Sequence, residues 1–100
     1  MIVAYSKSFQ KSVEQLSGKM LDAVVKVIVE VKNAENIEEI KNCRKLVGFD
    51  NVYSIRIGDF RAFFTFHIYI EKSTVKFEYL TTRGQAYNKK IIAALRSKGE

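Results

Sequence analysis

The spacing of the apolar residues changes near residue 52, and this change limits the folds that the chain can adopt. Before it, apolar residues recur in steps of three and four from Phe9 to Val31, which is typical of an amphipathic helix. After it, apolar and polar residues alternate, which is typical of β-strands with one buried face. Because the helical and strand segments are separated along the chain, we expect an α+β domain with a mainly antiparallel sheet.

Turn residues divide these two halves into elements. The pair Ser17-Gly18 interrupts the helical half and predicts a helical hairpin. Asn36 with Glu39 resembles a capping pair and predicts a short helix that ends at about Cys43. The remaining prediction is a strand at 2–6, strands at roughly 52–57, 60–70 and 74–81, and a last helix at 85–97. No repeat, low-complexity tract or proline divides residues 1–100, so we expect one domain.

Composition narrows the class of protein. The chain is 47% hydrophobic and 28% charged, as soluble globular proteins are, and no apolar run reaches the roughly 20 residues that a membrane-spanning helix needs. The first residues do not form a signal peptide. Cys43 is the single cysteine, which excludes an internal disulfide. We therefore expect a reduced, cytoplasmic protein, and no sequence motif indicates a metal or nucleotide cofactor.

The net charge of +6 is concentrated in the second half of the chain. Residues 1–52 carry eight Lys and Arg against seven Asp and Glu, whereas residues 53–100 carry nine against four. A basic half predicts a polyanionic partner such as RNA, DNA or an acidic protein. Solubility alone also accounts for a basic surface, and at this point both explanations stay open.

The pair Gly58-Asp59 sets the register of the first predicted hairpin. A two-residue loop that begins with glycine is typical of a type II′ turn. This turn places Arg56 opposite Arg61, on the face away from the apolar residues, with Cβ atoms about 5 Å apart. Two like charges at this distance disfavour the pairing unless an anion joins them. The sequence therefore predicts either an anion site or a solvated strand face.

A second turn, predicted at Lys72-Ser73, brings Arg61 next to Arg83. Tyr87 then lies one helical turn beyond Arg83 and can point back toward it. Three guanidinium groups beside a phenol suit a phosphodiester, because they stabilise the negative charge that develops on its oxygens. Phe63, on the same predicted face, offers a stacking surface for a base.

Each of these residues also has an ordinary structural explanation. Arg56 and Arg61 can be solvated residues on an open sheet face. Tyr87 can be a core residue of the last helix, and by composition alone that is the favoured explanation. Lys89 and Lys90 form either a solvated helix face, which is the default, or phosphate contacts.

Two further reactive side chains are weak candidates for catalysis. His67, the only histidine, lies six residues from Arg61, about 20 Å along a strand. The predicted register pairs it with Glu78, so we expect a structural or partner-binding role. We interpret Cys43 as a small buried hydrophobic residue.

Two segments resemble the RelE/ParE superfamily of bacterial toxin–antitoxin toxins. KLVGFDNVYSIRIGDFRAFF, at 45–64, resembles its leucine, glycine and Tyr-x-x-Arg-x-Gly-Asp-x-Arg signature, and TTRGQAYNKK, at 81–90, is similar to its closing Arg-x-x-x-Tyr. The order of elements extends the resemblance over the whole chain. It implies a RelE-like, microbial-ribonuclease-like fold: an antiparallel sheet with an N-terminal helical hairpin on one face and a C-terminal helix.

The RelE-like branch implies a ribosome-dependent mRNA endoribonuclease, or mRNA interferase, that inhibits translation and arrests growth. A ribose 2′-hydroxyl attacks the adjacent phosphate without a metal. Carried over by position, Arg61 and Arg83 would stabilise the phosphorane, Arg56 would bind phosphate, and Tyr87 would transfer a proton or stack on a base. The implied partners are mRNA, the ribosome and a small acidic antitoxin that holds the toxin inactive.

The chain departs from this pattern at two places. Ser54 stands where many mRNA-cutting members have Lys or Arg, and Gly84-Gln85 replaces a more basic stretch. Ser54, Phe63, Lys89 and Lys90 are nevertheless the predicted RNA contacts around the four catalytic candidates. The ParE-like branch shares the scaffold but poisons DNA gyrase without a ribonuclease site, and a catalytically inactive module that binds RNA or an antitoxin is a third alternative.

Overall fold

The computed structural model of the protein describes residues 1–69, 72–85 and 88–99. Within them, the strands are β1 (Ile2–Tyr5), β2 (Cys43–Lys45), β3 (Val52–Ile57), β4 (Phe60–Tyr69) and β5 (Lys72–Thr82), and the helices are α1 (Lys7–Glu14), α2 (Gly18–Asn33) and α3 (Lys89–Gly99). The sheet order is β1-β5-β4-β3-β2, with β1 parallel to β5 and the other neighbours antiparallel. The predicted α+β architecture with a mainly antiparallel sheet is confirmed.

The predicted helical hairpin is present and has clear local causes. Ser6 begins α1, and its Oγ accepts a hydrogen bond from the Phe9 N–H at 3.0 Å. The chain turns at Gly18, whose φ of +57° is in the left-handed region that glycine adopts without strain. Phe9 of α1 and Val24 and Val31 of α2 are buried against the sheet. The hairpin therefore covers one face of the sheet, as predicted.

The short helix predicted from Asn36 to about Cys43 is wrong. Only a single 3₁₀ turn forms, at Ile37–Glu39, and Cys43 already belongs to β2. The Asn36 side chain makes no capping hydrogen bond, and the Glu39 carboxylate accepts one from the Glu35 N–H at 2.7 Å, one residue before the position that a capping box uses.

Two residues prevent this turn from continuing as a helix. Ile40 has extended backbone angles and is buried in the core beneath the hairpin. Asn42 has a φ of +58°, a conformation that no helix interior accepts but that asparagine tolerates. The chain therefore leaves the turn in an extended direction and forms β2 at the edge of the sheet.

Both faces of the sheet are covered, at least in part. The first core lies between the hairpin and the sheet and contains Ile55, Ala62, Phe64 and Phe77 among its fully buried members. The second core lies on the opposite face, where α3 and the segment before β3 pack on the strands; its buried residues are Leu46, Phe49, Val52, Phe63 and Leu95. None of the described helices is both long and apolar enough to cross a membrane.

The first hairpin has the predicted register. Ile57 pairs with Phe60, and Arg56 pairs with Arg61. Gly58 has a φ of +58°, the positive value that a type II′ turn requires at its first loop residue. Because side chains alternate along a strand, the two arginines lie on the second face, away from the hairpin.

The second hairpin turns earlier than predicted. The predicted Lys72-Ser73 loop is wrong, since Lys72 already pairs with Tyr69. As a result, His67 lies opposite Thr74 and not opposite Glu78. The Nδ1 atom of His67 lies 3.3 Å from the Nδ2 atom of Asn51, so the histidine contacts the segment before β3.

A β-bulge in β5 explains why Glu78 has no pairing partner on β4. Phe63 pairs with Tyr79 and Phe64 pairs with Phe77, so Glu78 is the extra residue. The bulge interrupts the alternation, and Tyr79 packs with the second core although Phe77 belongs to the first. The Glu78 carboxylate is buried and accepts a hydrogen bond from the Thr65 hydroxyl at 3.3 Å.

A candidate phosphate-binding cleft

Three arginines from three adjacent strands line one cleft at the end of the sheet. Arg44 comes from β2, Arg56 from β3 and Arg61 from β4, and the cleft has a volume of ≈ 250 Å³. Asn42 and Cys43 complete its lining. The described lining residues include three guanidinium groups and no carboxylate, so this lining is cationic.

The backbone register brings these arginines together. Arg56 pairs with Arg61 across β3 and β4, and Arg44 pairs with Ser54 across β2 and β3. Directly paired residues have Cβ atoms about 4.5–5.5 Å apart. Ser54 precedes Arg56 by two residues, so the two side chains lie on the same face of β3. The side chains of Arg44, Arg56 and Arg61 therefore all originate next to the small Ser54 side chain.

Ser54 has a different role from the predicted one. Its side chain is fully buried, with 0% exposure, and cannot be reached by RNA, so the expectation of a direct RNA contact is wrong. Its Oγ instead accepts a hydrogen bond from Nη1 of Arg61 at 3.4 Å. The serine therefore helps to orient Arg61 and leaves the space above it open.

The three arginines differ in their freedom to meet a ligand. Arg61 is half-buried and held by Ser54, whereas Arg44 and Arg56 are exposed. No side chain among the described residues forms a hydrogen bond or ion pair with Arg44 or Arg56. The guanidinium group of Arg61 is thus positioned, whereas those of Arg44 and Arg56 can turn toward an anion. A bound anion would also relieve the repulsion between Arg56 and Arg61.

The sequence missed Arg44. The predicted short helix ends at about Cys43 and no predicted element includes Arg44, which lies in the middle of the three-residue strand β2. Only the pairing of β2 with β3 reveals that this residue lies opposite Ser54.

The remaining catalytic candidates lie partly or wholly outside the described residues. Arg83 begins a 3₁₀ turn directly after β5, and Arg61 pairs with Thr81 near the end of that strand. The backbone of Arg83 is therefore at the same end of the sheet as the cleft, but its side chain is outside the described part of the molecule. Tyr87 lies outside the described residues, so the roles of both stay predictions.

Phe63 cannot serve as a stacking surface for a base. Its side chain has 0% exposure and belongs to the second core with Leu95 of α3. The alternation of β4 correctly placed Phe63 on the face of the arginines. It could not indicate that α3 and the segment before β3 cover that part of the face, and the prediction is wrong for this reason.

Lys89 and Lys90 are both exposed at the start of α3. Asn88 caps this helix, because its Oδ1 accepts a hydrogen bond from the Ile91 N–H at 2.9 Å. The first turn of α3 contains no acidic residue. The charges of Lys89 and Lys90 therefore add to the positive end of the helix dipole and are not neutralised within that turn. This arrangement is compatible with phosphate contacts, which stay a prediction.

Other titratable groups near the cleft are poorly suited to catalysis. The Cys43 side chain packs against the first core, and burial raises the pKa of its thiol to about 11, so it is neutral at physiological pH. Burial, followed by the charges of Cys43 and Glu38, also raises the pKa of Tyr53. His67 lies six residues along β4 from Arg61. Among the described residues, no group of His, Cys, Asp and Glu could hold a metal ion.

Arginines alone can still support chemistry on a phosphodiester. A guanidinium group donates two parallel hydrogen bonds to phosphate oxygens and stays protonated throughout the physiological range. Where charge increases on non-bridging oxygens, prepositioned donors stabilise the transition state more than the ground state. The cleft therefore fits phosphate binding and charge stabilisation.

Comparisons with known proteins address the fold. No protein-family model matches the chain, and no curated protein matches it at a significant level. Several solved structures do match.

A RelB–RelE antitoxin–toxin complex from Methanococcus jannaschii aligns with a TM-score of 0.66 at 21% identity, over 86% of this chain and 96% of that chain. A mutant of the E. coli toxin RelE in the free state aligns with a TM-score of 0.69 at 19% identity, over 97% and 95%. A YoeB/ParE toxin from Agrobacterium tumefaciens aligns with a TM-score of 0.62 at 14% identity, over 83% and 99%. The chain therefore has the fold of the RelE toxins.

Proposed function

We propose that the protein is the toxin of a toxin–antitoxin system and that it acts as an mRNA interferase, a ribosome-dependent endoribonuclease that inhibits translation. The observation that carries the proposal is the meeting of Arg44, Arg56 and Arg61 in a cleft whose described lining contains no carboxylate. The RelE fold supports it, since the matched structures include toxins in complex with antitoxins.

In the proposed reaction, the 2′-oxygen of one ribose attacks the adjacent phosphorus while the bond to the 5′-oxygen of the next nucleotide breaks. The products are a 2′,3′-cyclic phosphate and a free 5′-hydroxyl. Arg61, oriented by Ser54, and Arg83 stabilise the negative charge of the phosphorane, and Arg56 holds the phosphate. Tyr87 transfers a proton or stacks on a base.

The test is primer extension on an mRNA in a cell-free translation reaction. Wild-type protein is expected to cut codons that are being translated, and the double variant Arg61→Ala/Arg83→Ala is expected to leave the mRNA intact. Lys26→Ala is the matched control, because this exposed cation lies on α2, which covers the opposite face of the sheet. Equal cleavage by the wild type and the double variant would refute the assigned site.

The proposed regulatory partner is an acidic antitoxin protein. A net charge of +6 and two exposed arginines without side-chain partners among the described residues favour an acidic partner over a basic one. Such a segment would compete with RNA for the same cations, so its binding should weaken as the salt concentration rises.

A gyrase poison is the second candidate. It is favoured by the match to a YoeB/ParE toxin, which has the same fold at a TM-score of 0.62. Growth arrest in cells with intact mRNA would support this candidate and contradict the ribonuclease. Intact mRNA without growth arrest would indicate an inactive module that binds RNA or an antitoxin.

A further inference from the structure

A second cavity adjoins the arginine cleft and shares one residue with it. This cavity has a volume of ≈ 350 Å³, within the range of small-molecule sites. Arg44 lines both spaces, so the second cavity lies directly beside the arginine cleft.

The floor of the second cavity is apolar and its rim is basic. Leu46, Phe49 and Ile92 line it from the second core. Arg96 lies over the Phe49 ring, with its guanidinium carbon 4.6 Å from the ring centroid, in a cation–π contact. Together with Arg44, this places positive charge beside an apolar floor.

Val47 stands at the wall of the same cavity. Its side chain is 98% exposed, whereas Leu46 and Phe49 on either side of it are buried. Its exposure means that it contributes almost nothing to the packing of the core. An apolar side chain in this position is available to a ligand and can be replaced without harm to the fold.

We propose that this second cavity is a nucleobase subsite, which receives the base of a nucleotide whose phosphate lies in the arginine cleft. Arg44, at the boundary, binds that phosphate, and the base packs on Val47 and the apolar floor. A flat, largely apolar group with an adjacent negative charge matches an apolar floor with a basic rim, and bases stack on apolar surfaces and on arginine planes. The inference rests on the proposed function, because it assumes that RNA occupies the cleft.

The test is the affinity of the protein for a short fluorescein-labelled RNA, measured by fluorescence anisotropy. Uniform 2′-O-methylation prevents cleavage by removing the attacking hydroxyl. A series of oligonucleotides, each with one abasic position, reports the contribution of each base. The proteins are the wild type, Val47→Ser, Arg44→Gln and the control Lys26→Gln, whose exposed cation lies on the opposite side of the sheet.

Val47→Ser is expected to weaken binding by about threefold to tenfold, as expected for partial loss of a base contact. One oligonucleotide of the abasic series lacks the base that occupies the second cavity. Val47→Ser and the wild type should bind this oligonucleotide equally. Arg44→Gln should weaken binding to every oligonucleotide and should reduce the slope of log K against log salt by about 0.7. Lys26→Gln should bind like the wild type, and Val47→Ser should keep the wild-type melting temperature.

The outcomes separate this inference from the proposed function. Wild-type affinity in both Val47→Ser and Arg44→Gln, with a loss in Arg56→Gln, would overturn the subsite and leave the ribonuclease proposal standing; the groove would then suit a protein partner. Absence of RNA binding by the wild type would overturn the subsite, whereas the ribonuclease proposal would still be decided by primer extension, because that activity depends on the ribosome. The expected binding pattern, together with intact mRNA in the primer-extension test, would support the subsite while contradicting the enzyme.

Discussion

Ser54 shows how one small residue organises several large ones. It contributes no charge, yet Arg61 donates a hydrogen bond to it, and Arg44 lies directly opposite it on β2. A larger side chain at this buried position would occupy the space into which the arginines converge. Position 54 itself carries no positive charge, and the third arginine of the cleft, Arg44, comes from the neighbouring strand β2.

Replacement of Ser54 by alanine tests this role. Ser54→Ala removes one hydrogen-bond acceptor of Arg61, so we expect a loss of about 1 kcal/mol in the free energy of unfolding. We expect a larger effect on mRNA cleavage, a decrease of about tenfold to a hundredfold, because Arg61 is then oriented less precisely. Urea denaturation and primer extension measure the two quantities.

Thr65→Ala is the matched control for this prediction. Thr65 is a buried hydroxyl residue on β4 that donates to Glu78 instead of an arginine. Its replacement should lower stability and leave cleavage unchanged. If both variants lose cleavage in proportion to their stability, Ser54 has only a structural role.

Cys43 gives a prediction about pH. Burial raises the pKa of its thiol from an ordinary 9.0 to about 11, so the folded state keeps a proton that the unfolded state releases. The stability of the folded protein should therefore decrease as the pH rises from about 9 to about 11. Iodoacetamide should react with the thiol at a midpoint pH near 11 in the folded protein and near 9 in urea.

This chain has a single cysteine, so the alkylation rate reports one site. A midpoint near 9 in the folded protein would show that the thiol is solvated. In Cys43→Ala, the loss of stability between pH 9 and 11 should be smaller than in the wild type.

At the scale of elements, local signals predicted the helical hairpin and the first β-hairpin but not the register of the second β-hairpin. Gly58-Asp59 set the register of β3 and β4, because a two-residue turn allows few alternatives. The bulge at Glu78 could not be predicted, since it depends on how β5 packs on both cores at once. Edge strand β2 was missed because its three residues are too few to show a period.

Phe64 is the residue on which β4 most depends. Its ring stacks on Tyr53, with centroids 5.5 Å apart, and meets the edge of Phe77 at 5.7 Å. Phe64→Ala should reduce the free energy of unfolding by about 3–5 kcal/mol, because the two remaining rings cannot close the resulting cavity. Urea denaturation measures this change, with the half-buried Phe66→Ala as the control that should lose less.

A change below about 1 kcal/mol in Phe64→Ala would contradict the placement of Phe64 at the centre of the first core. An equal loss in Phe66→Ala would indicate that the core extends further toward the far end of β4 than its burial suggests.

At the scale of the whole molecule, the two cores determine where a ligand can reach the sheet. The hairpin closes one face, and α3 with the segment before β3 closes part of the other. The arginine cleft lies at the end of the sheet that this second cover leaves open. The sequence predicted that Arg56 pairs with Arg61. It could not predict that α3 and the segment before β3 extend over Phe63 and bury it, because this depends on contacts between distant parts of the chain.

The position of Arg44 on an edge strand has a consequence for solubility. Exposed strand edges invite pairing with a second copy of the same chain, which leads to aggregation. Here the edge strand is only three residues long and carries Arg44 and Lys45, whose charges repel an identical edge. Arg44, which we assign to RNA, therefore also disfavours self-association through this edge while no nucleic acid is bound.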